Sequence, residues 1–307
     1  MSPTPSITIG GTTAILTCHV ATLSRRVKPN SRAAIQECLD AGVARLEIDV
    51  HSLDGPDYIV THDRKLERRT TGSGSIGVAT PDAVRALHFL DDSSDRPALL
   101  SEVVEMARGT DTQLQLDVKD WRLLRDQRLR TLLDLAAPIR SQIIVSAGED
   151  WNLGQLHAAD PALPIGFDPG RYIAFGSDEP PFLPRGLGAY GYRDDHPLAV
   201  GRTEEPAEYL RQRMEMFALQ VPASREMFLD HELILQMLDD GFNPANWLHQ
   251  HNRELTAWTV DYKNEASIPT VERLIAARVD RITTNTPLAW AEAFASSGAT
   301  KAERPQA

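Results

Sequence analysis

Nine strand-length apolar runs recur along the chain, and most are separated by segments whose apolar residues return every three or four positions. The runs are AILTCHVA (14–21), ARLEIDVH (44–51), DYIVTHD (57–63), QLQLDVK (113–119), QIIVSAG (142–148), LPIGFDP (163–169), FALQVPA (217–223), LTAWTVD (255–261) and VDRITTN (279–285). Between them lie helical patterns, namely SRAAIQECLDAG, LLSEVVEMARG, WRLLRDQRLRTLLDLAA, EPAEYLRQRMEMF, HELILQMLDDG, SIPTVERLIAAR and PLAWAEAFASS. The first opens on Ser31, a good N-cap, and stops at Gly42. DYIVTHD follows the turn LDGPD and reads as a return strand. The other eight runs make parallel β/α units, and eight such units predict an α/β fold, a (β/α)8 TIM barrel in one domain over residues 1–307. An open doubly wound sheet is the alternative. No Gly-x-Gly-x-x-Gly follows the first run to suggest a dinucleotide site. Residues 170–204, rich in Gly and Pro without a clear period, read as a long loop or cap at one barrel mouth.

Composition narrows the function. With 307 residues, 42% of them hydrophobic, the chain buries a large core. Its net charge of −11, with Arg25-Arg26 and RKLERR as its dense basic stretches, argues against a nucleic-acid partner and against stable membrane association. Two cysteines, Cys18 and Cys38, are too few for a disulfide scaffold, and no apolar run reaches the roughly 20 residues of a membrane span. The first residues lack a basic stretch followed by an apolar one, so a cytoplasmic protein is expected.

Period-two alternation assigns faces. In LEIDVH it puts Glu47, Asp49 and His51 opposite Leu46, Ile48 and Val50. In QLQLDVK it puts Gln113, Gln115, Asp117 and Lys119 opposite Leu114, Leu116 and Val118. The aliphatic faces belong against helices, so the acids point into the barrel, where unpaired carboxylates are costly unless they hold a cation. His19 falls opposite Leu16, Cys18 and Val20, and His62 ends the return strand. Each alone is ordinarily a solvated or structural residue. Together, near strand C-terminal ends, they describe an all-oxygen seat for Mg²⁺ or Ca²⁺ with two histidines beside it. His249 and His251 in WLHQH sit at i and i+2, point apart on a helix, and read as surface residues.

The chain resembles the glycerophosphodiester phosphodiesterase family. The resemblance rests on His19, on EID (Glu47, Asp49), on HDRKLERRTTGSG (His62, Asp63, Leu66, Arg68, Thr70, Gly72, Gly74), and more loosely on LDVK, AWTVD and TTNTP. It implies a TIM barrel holding one divalent cation, Mg²⁺ or Ca²⁺, on Glu47, Asp49 and Asp117. It further implies Lys119 and Trp258 beside the substrate, and His19 and His62 as general acid and base on a small phosphodiester. Four departures accompany it: Val20-Ala21 replaces Arg-Gly, KPN (28–30) replaces Pro-Glu-Asn, Asp117 replaces Glu, and Asn285 stands where Asp is frequent. With the arginine gone, Lys119, Arg25 and Lys28 are the candidate phosphate cations. A lyase of the phospholipase-D kind acting on lysophospholipid or sphingolipid is one alternative, with Phe175, Phe182, Leu183, Tyr190 and Tyr192 lining a lipid groove. A non-catalytic barrel that binds a phosphate ester is another.

Overall fold

A computed structural model describes residues 5–176 and 185–301. Its strands are β1 (Ser6–Ile9), β2 (Thr12–Cys18), β3 (Arg45–Ser52), β4 (Tyr58–Val60), β5 (Gln113–Val118), β6 (Ile143–Ala147), β7 (Ile165–Phe167), β8 (Ser224–Asp230), β9 (Glu254–Trp258) and β10 (Arg281–Thr284). Its α-helices are α1 (Arg32–Ala41), α2 (Pro81–Arg85), α3 (Leu100–Ala107), α4 (Asp126–Ala136), α5 (Asp150–Ala159), α6 (Pro206–Gln220), α7 (His231–Asp239), α8 (Pro244–Gln250), α9 (Ile268–Ala276) and α10 (Pro287–Lys301). Strands β2, β3, β5, β6, β7, β8, β9 and β10 run parallel in that order, and β2 pairs with both β3 and β10, which closes a (β/α)8 barrel. Outside it, β1 pairs antiparallel with β2 and β4 with β3.

The alternation read from sequence places the faces as expected. Leu46, Ile48, Val50, Leu114, Leu116 and Val118 are buried in the core cluster shared with Ile35, Val103 and Leu132 of the helices. The register sets Glu47 against Gln115 and Asp49 against Asp117, so the inward acids of β3 and β5 lie at one level. Helix α1 starts where Ser31 Oγ accepts the Ala34 N–H at 3.1 Å, and Gly42 ends it with φ 63°, a left-handed angle that costs glycine little.

Several expected boundaries move. The run 217–223 was expected as a strand, yet 217–220 finish α6 and the strand is SREMFLD, β8. An apolar run four to five residues long does not distinguish a helix end from a strand. Helix α4 begins at Asp126, later than the expected pattern, and α2 and α5 were not anticipated. The first run ends at Cys18, and His19–Ala21 form a 3-10 turn in which Val20 and Ala21 take φ of 48° and 55°. His19 is therefore placed by a turn at the end of β2, and strand alternation does not aim it.

Of residues 170–204, Phe182 and Leu183 lie outside the described residues. Tyr190 stacks on Tyr209 of α6 with ring centroids 4.2 Å apart, and the Tyr192 hydroxyl donates to Asp240 Oδ2 at 2.7 Å. Asp194 accepts from the Tyr209 hydroxyl at 2.6 Å and from Arg213 Nε at 2.7 Å. These contacts bury Tyr190 and Tyr192 against α6, so neither lines a lipid groove. Phe175 does reach the central cleft.

The N-terminal end of the barrel interior is plugged by ions. Arg45 Nη1 donates to Glu226 Oε1 at 2.7 Å, and Arg45 Nε donates to Gln113 Oε1 at 2.7 Å. Thr256 and Arg281 also face Glu226, and Arg281 pairs with Glu254.

Candidate active site

At the opposite end the strands finish in polar residues around a cleft of about 770 Å³. From β3 come Glu47 and Asp49, and from β5 comes Asp117. One oxygen of each lies within 4.8 Å of the others, a separation that lets all three reach one cation at oxygen-ligand distances of about 2.4 Å. Glu47 and Asp49 are buried. Among the described residues, the cation set directly among them is Lys119, whose ammonium lies 3.0 Å from Asp49 Oδ1 and also pairs with Asp117. Three carboxylates against one ammonium leave excess negative charge in a low-dielectric setting. Burial, reinforced by Asp49 and Asp117, pushes the Glu47 carboxyl well above the ordinary range. Burial opposes ionisation of Asp49 too, but Lys119 and then His62 hold it below its ordinary value. For Lys119, burial acts to discharge the amine and the three acids override it, so its ammonium is retained.

The ligand set is held from behind. Asn30 Nδ2 donates to Asp49 Oδ2 at 2.7 Å, and Ser146 Oγ of β6 donates to Asp117 Oδ1 at 3.2 Å while accepting from Gln115 Nε2 at 3.1 Å. The Val20 N–H donates to Glu47 Oε2 at 2.8 Å. That bond uses the left-handed turn after β2, in which a β-branched valine at positive φ stores roughly 1–3 kcal/mol of strain. Asp49 Oδ1 is buried and faces the Lys119 ammonium at 3.0 Å without a well-aligned hydrogen bond. Three carboxylate oxygens converging within 4.8 Å with a single ammonium beside them suit a divalent cation, and the donor set fits one.

His19 lies beside Glu47 of this cluster, and His62 is near enough to Asp49 to act on its charge. His19 Nδ1 lies 2.9 Å from Asn285 Oδ1, and Asn285 Nδ2 and backbone N–H donate to Asp261 at 3.0 and 2.7 Å. Asp261 oxygens accept only, so the Asn285 amide must turn its oxygen to His19, and His19 Nδ1 must carry the proton. Nε2 is then the acceptor nitrogen, 3.9 Å from Glu47 Oε2. His62 lies exposed in the loop after β4 and lines the cleft, and its backbone oxygen faces Nε2 of the buried His51 at 3.3 Å. His51 thus supports the His62 loop. Trp258 ends β9 and lines the cleft, as Lys119 does.

Of the three candidate phosphate cations, Lys28 pairs with Asp91 and Arg25 is exposed outside the cleft lining, which leaves Lys119. His249 is half-buried and pairs with Asp280 at 2.9 Å, and His251 stacks on Trp247. The sequence did not reveal Asn30, Ser146, Asp261, or the acids that continue the cleft wall: Glu149, Asp168 and Asp230. Burial, with Asp117 adding, lifts Asp168 to about 7, and burial lifts Glu149 to about 6 although Arg171 opposes it. Their signal was positional, because Asp230 closes a barrel strand and Asp168 and Glu149 lie one and two residues past the ends of theirs.

No family model and no curated protein sequence matches this chain. Solved structures do. A glycerophosphodiester phosphodiesterase from Parabacteroides distasonis is 14% identical, with a TM-score of 0.62 over 92% of this chain and 97% of that one. A phosphodiesterase from Oleispira antarctica, solved with the product sn-glycerol-3-phosphate, is 14% identical, with a TM-score of 0.60 over 92% and 96%. The glycerophosphodiester phosphodiesterase of Thermotoga maritima is 17% identical, with a TM-score of 0.57 over 92% and 98%. At these identities the likeness establishes a common fold across nearly the whole chain.

Proposed function

We propose that this barrel is a cation-dependent phosphodiesterase that cleaves a glycerophosphodiester to glycerol phosphate and an alcohol. The observation that carries the reading is the uncompensated cluster of Glu47, Asp49 and Asp117 beside Lys119, flanked by two histidines. The three carboxylates would hold one Mg²⁺ or Ca²⁺, which supplies charge neutralisation at the phosphate and acidifies a bound hydroxyl. Lys119 offers its ammonium to a phosphate oxygen in the same cleft. His19 Nε2, with its lone pair fixed by the Asn285–Asp261 chain, accepts the proton of the attacking hydroxyl, whether from water or from the glycerol itself. His62, in the cleft lining, protonates the alcohol oxygen as its bond to phosphorus breaks. Attack by the glycerol hydroxyl gives a cyclic phosphate that water then opens, with the histidines exchanging roles. Trp258 contributes an apolar wall for the departing group. Support for the glycerol-phosphate side comes from the fold shared with the Oleispira antarctica enzyme and its bound product.

A second reading, ring closure on a lysophospholipid or sphingolipid without hydrolysis, is favoured by the apolar stretch of the cleft formed by Ile173, Ala174, Phe175, Leu229 and Leu233. Assaying glycerophosphocholine and lysophosphatidylcholine side by side, with and without Mg²⁺ or Ca²⁺, separates these readings. Cation-dependent release of glycerol phosphate supports the first, and a cyclic product from the lipid supports the second. Tight ester binding without turnover makes the protein a phosphate-ester sensor.

A further inference from the structure

Two basic stretches that the sequence keeps about fifty residues apart meet at one edge of the cleft mouth. Residues 62–69 carry four Lys/Arg against two acids, and residues 121–130 carry four Arg against one, a local excess of five positive charges on a chain of net charge −11. The fold joins them through Trp121, whose ring lies 5.0 Å from the Arg64 guanidinium and 5.5 Å from that of Arg122. Farther along, Arg128 Nη2 donates to Gly77 O at 2.8 Å, which anchors the second stretch beside Val78.

The apolar residues here are out in water. Trp121 is 50% exposed, Val78 71% and Leu123 37%. Arg122 and Arg125 are exposed among them. The acids of the two stretches are Asp63, which already pairs with Arg68 and Arg69, and Glu67 and Asp126; beside them Asp120 accepts from Ser52 and Asp82 pairs with Arg85. The patch is continuous with the cleft, because Arg64 and Arg68 also line it. An exposed indole and aliphatic side chains ringed by guanidinium groups match the interfacial layer of a bilayer, where the ring sits at headgroup level and the arginines meet lipid phosphates.

We infer that this rim docks on an anionic lipid surface and turns the cleft mouth toward it. The occupant follows from charge and chemistry together. On a protein of net charge −11, a basic face favours an anionic bilayer at that face, and an exposed Trp, Val and Leu gain by entering an interface. The fold thereby changes the sequence-level expectation, since RKLERR alone is too short a footprint and the second half of the patch comes from a different loop. The inference does not depend on the proposed catalysis: vesicle binding reads the rim and turnover of a soluble ester reads the site, so either can fail alone.

The test is co-sedimentation of the full chain with vesicles of phosphatidylcholine alone and of phosphatidylcholine with one third phosphatidylglycerol. The bound fraction should rise at least tenfold with the anionic lipid and fall steeply as salt shortens the Debye length from about 10 Å toward 3 Å. Arg122→Glu/Arg125→Glu and Trp121→Ala should each reduce binding at least tenfold while leaving the circular dichroism spectrum and melting curve unchanged. Vesicle addition should blue-shift tryptophan emission in the wild type and not in Trp121→Phe. Equal binding to both vesicle types, unchanged binding by the folded variants, or tighter binding to duplex DNA than to anionic vesicles at the same salt would each overturn the inference.

Discussion

The two ends of the barrel interior hold buried charge in opposite ways, and β3 contributes to both. At its start, Arg45 meets Glu226 of β8 at 2.7 Å, and Arg281 and Glu254 complete an ionic plug with two guanidinium groups for two carboxylates. Two and four residues on, the same strand face offers Glu47 and Asp49, which together with Asp117 outnumber Lys119 three to one. The protonation preferences diverge accordingly. Burial alone would raise Glu226, but Arg45 overrides it and its carboxyl is lowered. Burial raises Glu47 and its neighbours raise it further. A balanced buried network is a structural element, whereas an unbalanced one at the strand C-terminal ends is compatible with a cation that would complete it.

The same substitution at both ends separates the two roles. Glu47→Gln keeps an acceptor for the Val20 N–H but removes a cation ligand, so turnover should fall about 10³-fold, the several kcal/mol that a Lewis-acidic cation supplies. Cation-free thermal stability should not fall, because the carboxylate it removes is unfavourable there. Steady-state kinetics with thermal melts in a chelator check both halves. Glu226→Gln should invert this outcome: it strands Arg45 and should cost about 3–5 kcal/mol in chemical denaturation, with kcat per folded molecule unchanged.

His19→Ala and His62→Ala should each lower kcat by roughly 10²-fold with intact melting curves, as loss of a general acid or base does. A lowered melting temperature with normal activity per folded molecule would reassign either histidine to the scaffold.

What could be read from the chain follows the same division. The acid pairs were visible because alternation within β3 and β5 is a local property, and their shared level follows from parallel register. The plug was not visible, since Arg45 and Glu226 are 181 residues apart and β8 was placed seven residues early by the apolar end of α6. His19 was found by its type and position near a strand end, but its aim comes from a left-handed turn at Val20-Ala21 that no propensity predicts. Asn30 and Asn285 were quoted only as parts of motifs, and their bonds to Asp49 and His19 exist only after the barrel closes.

A smaller effect concerns pH. Asp168 titrates at about 7 in the folded chain, raised from 3.8 by burial first and then by Asp117. The folded state binds the extra proton between those values, so this group's contribution weakens stability as pH rises from 3.8 to 7. Glu226 works in the other direction: its contribution is fully present above 4.5 and is lost as pH falls through its lowered folded value. Melting temperatures between pH 4 and 7 should therefore decline less in Asp168→Asn, which keeps an acceptor for the Gly170 N–H, than in the wild type. Equal slopes would remove Asp168 from the set of strained cleft acids.

The most direct measurement is anomalous diffraction from crystals grown with Mn²⁺, an oxygen-seeking stand-in for Mg²⁺. One peak should lie among Glu47, Asp49 and Asp117, with oxygen distances of about 2.0–2.6 Å, absent in Glu47→Gln and retained in Glu226→Gln. A mouth without a peak in the wild type, or a peak that survives Glu47→Gln at full height, would contradict the claim that this end of the barrel is built to hold a cation.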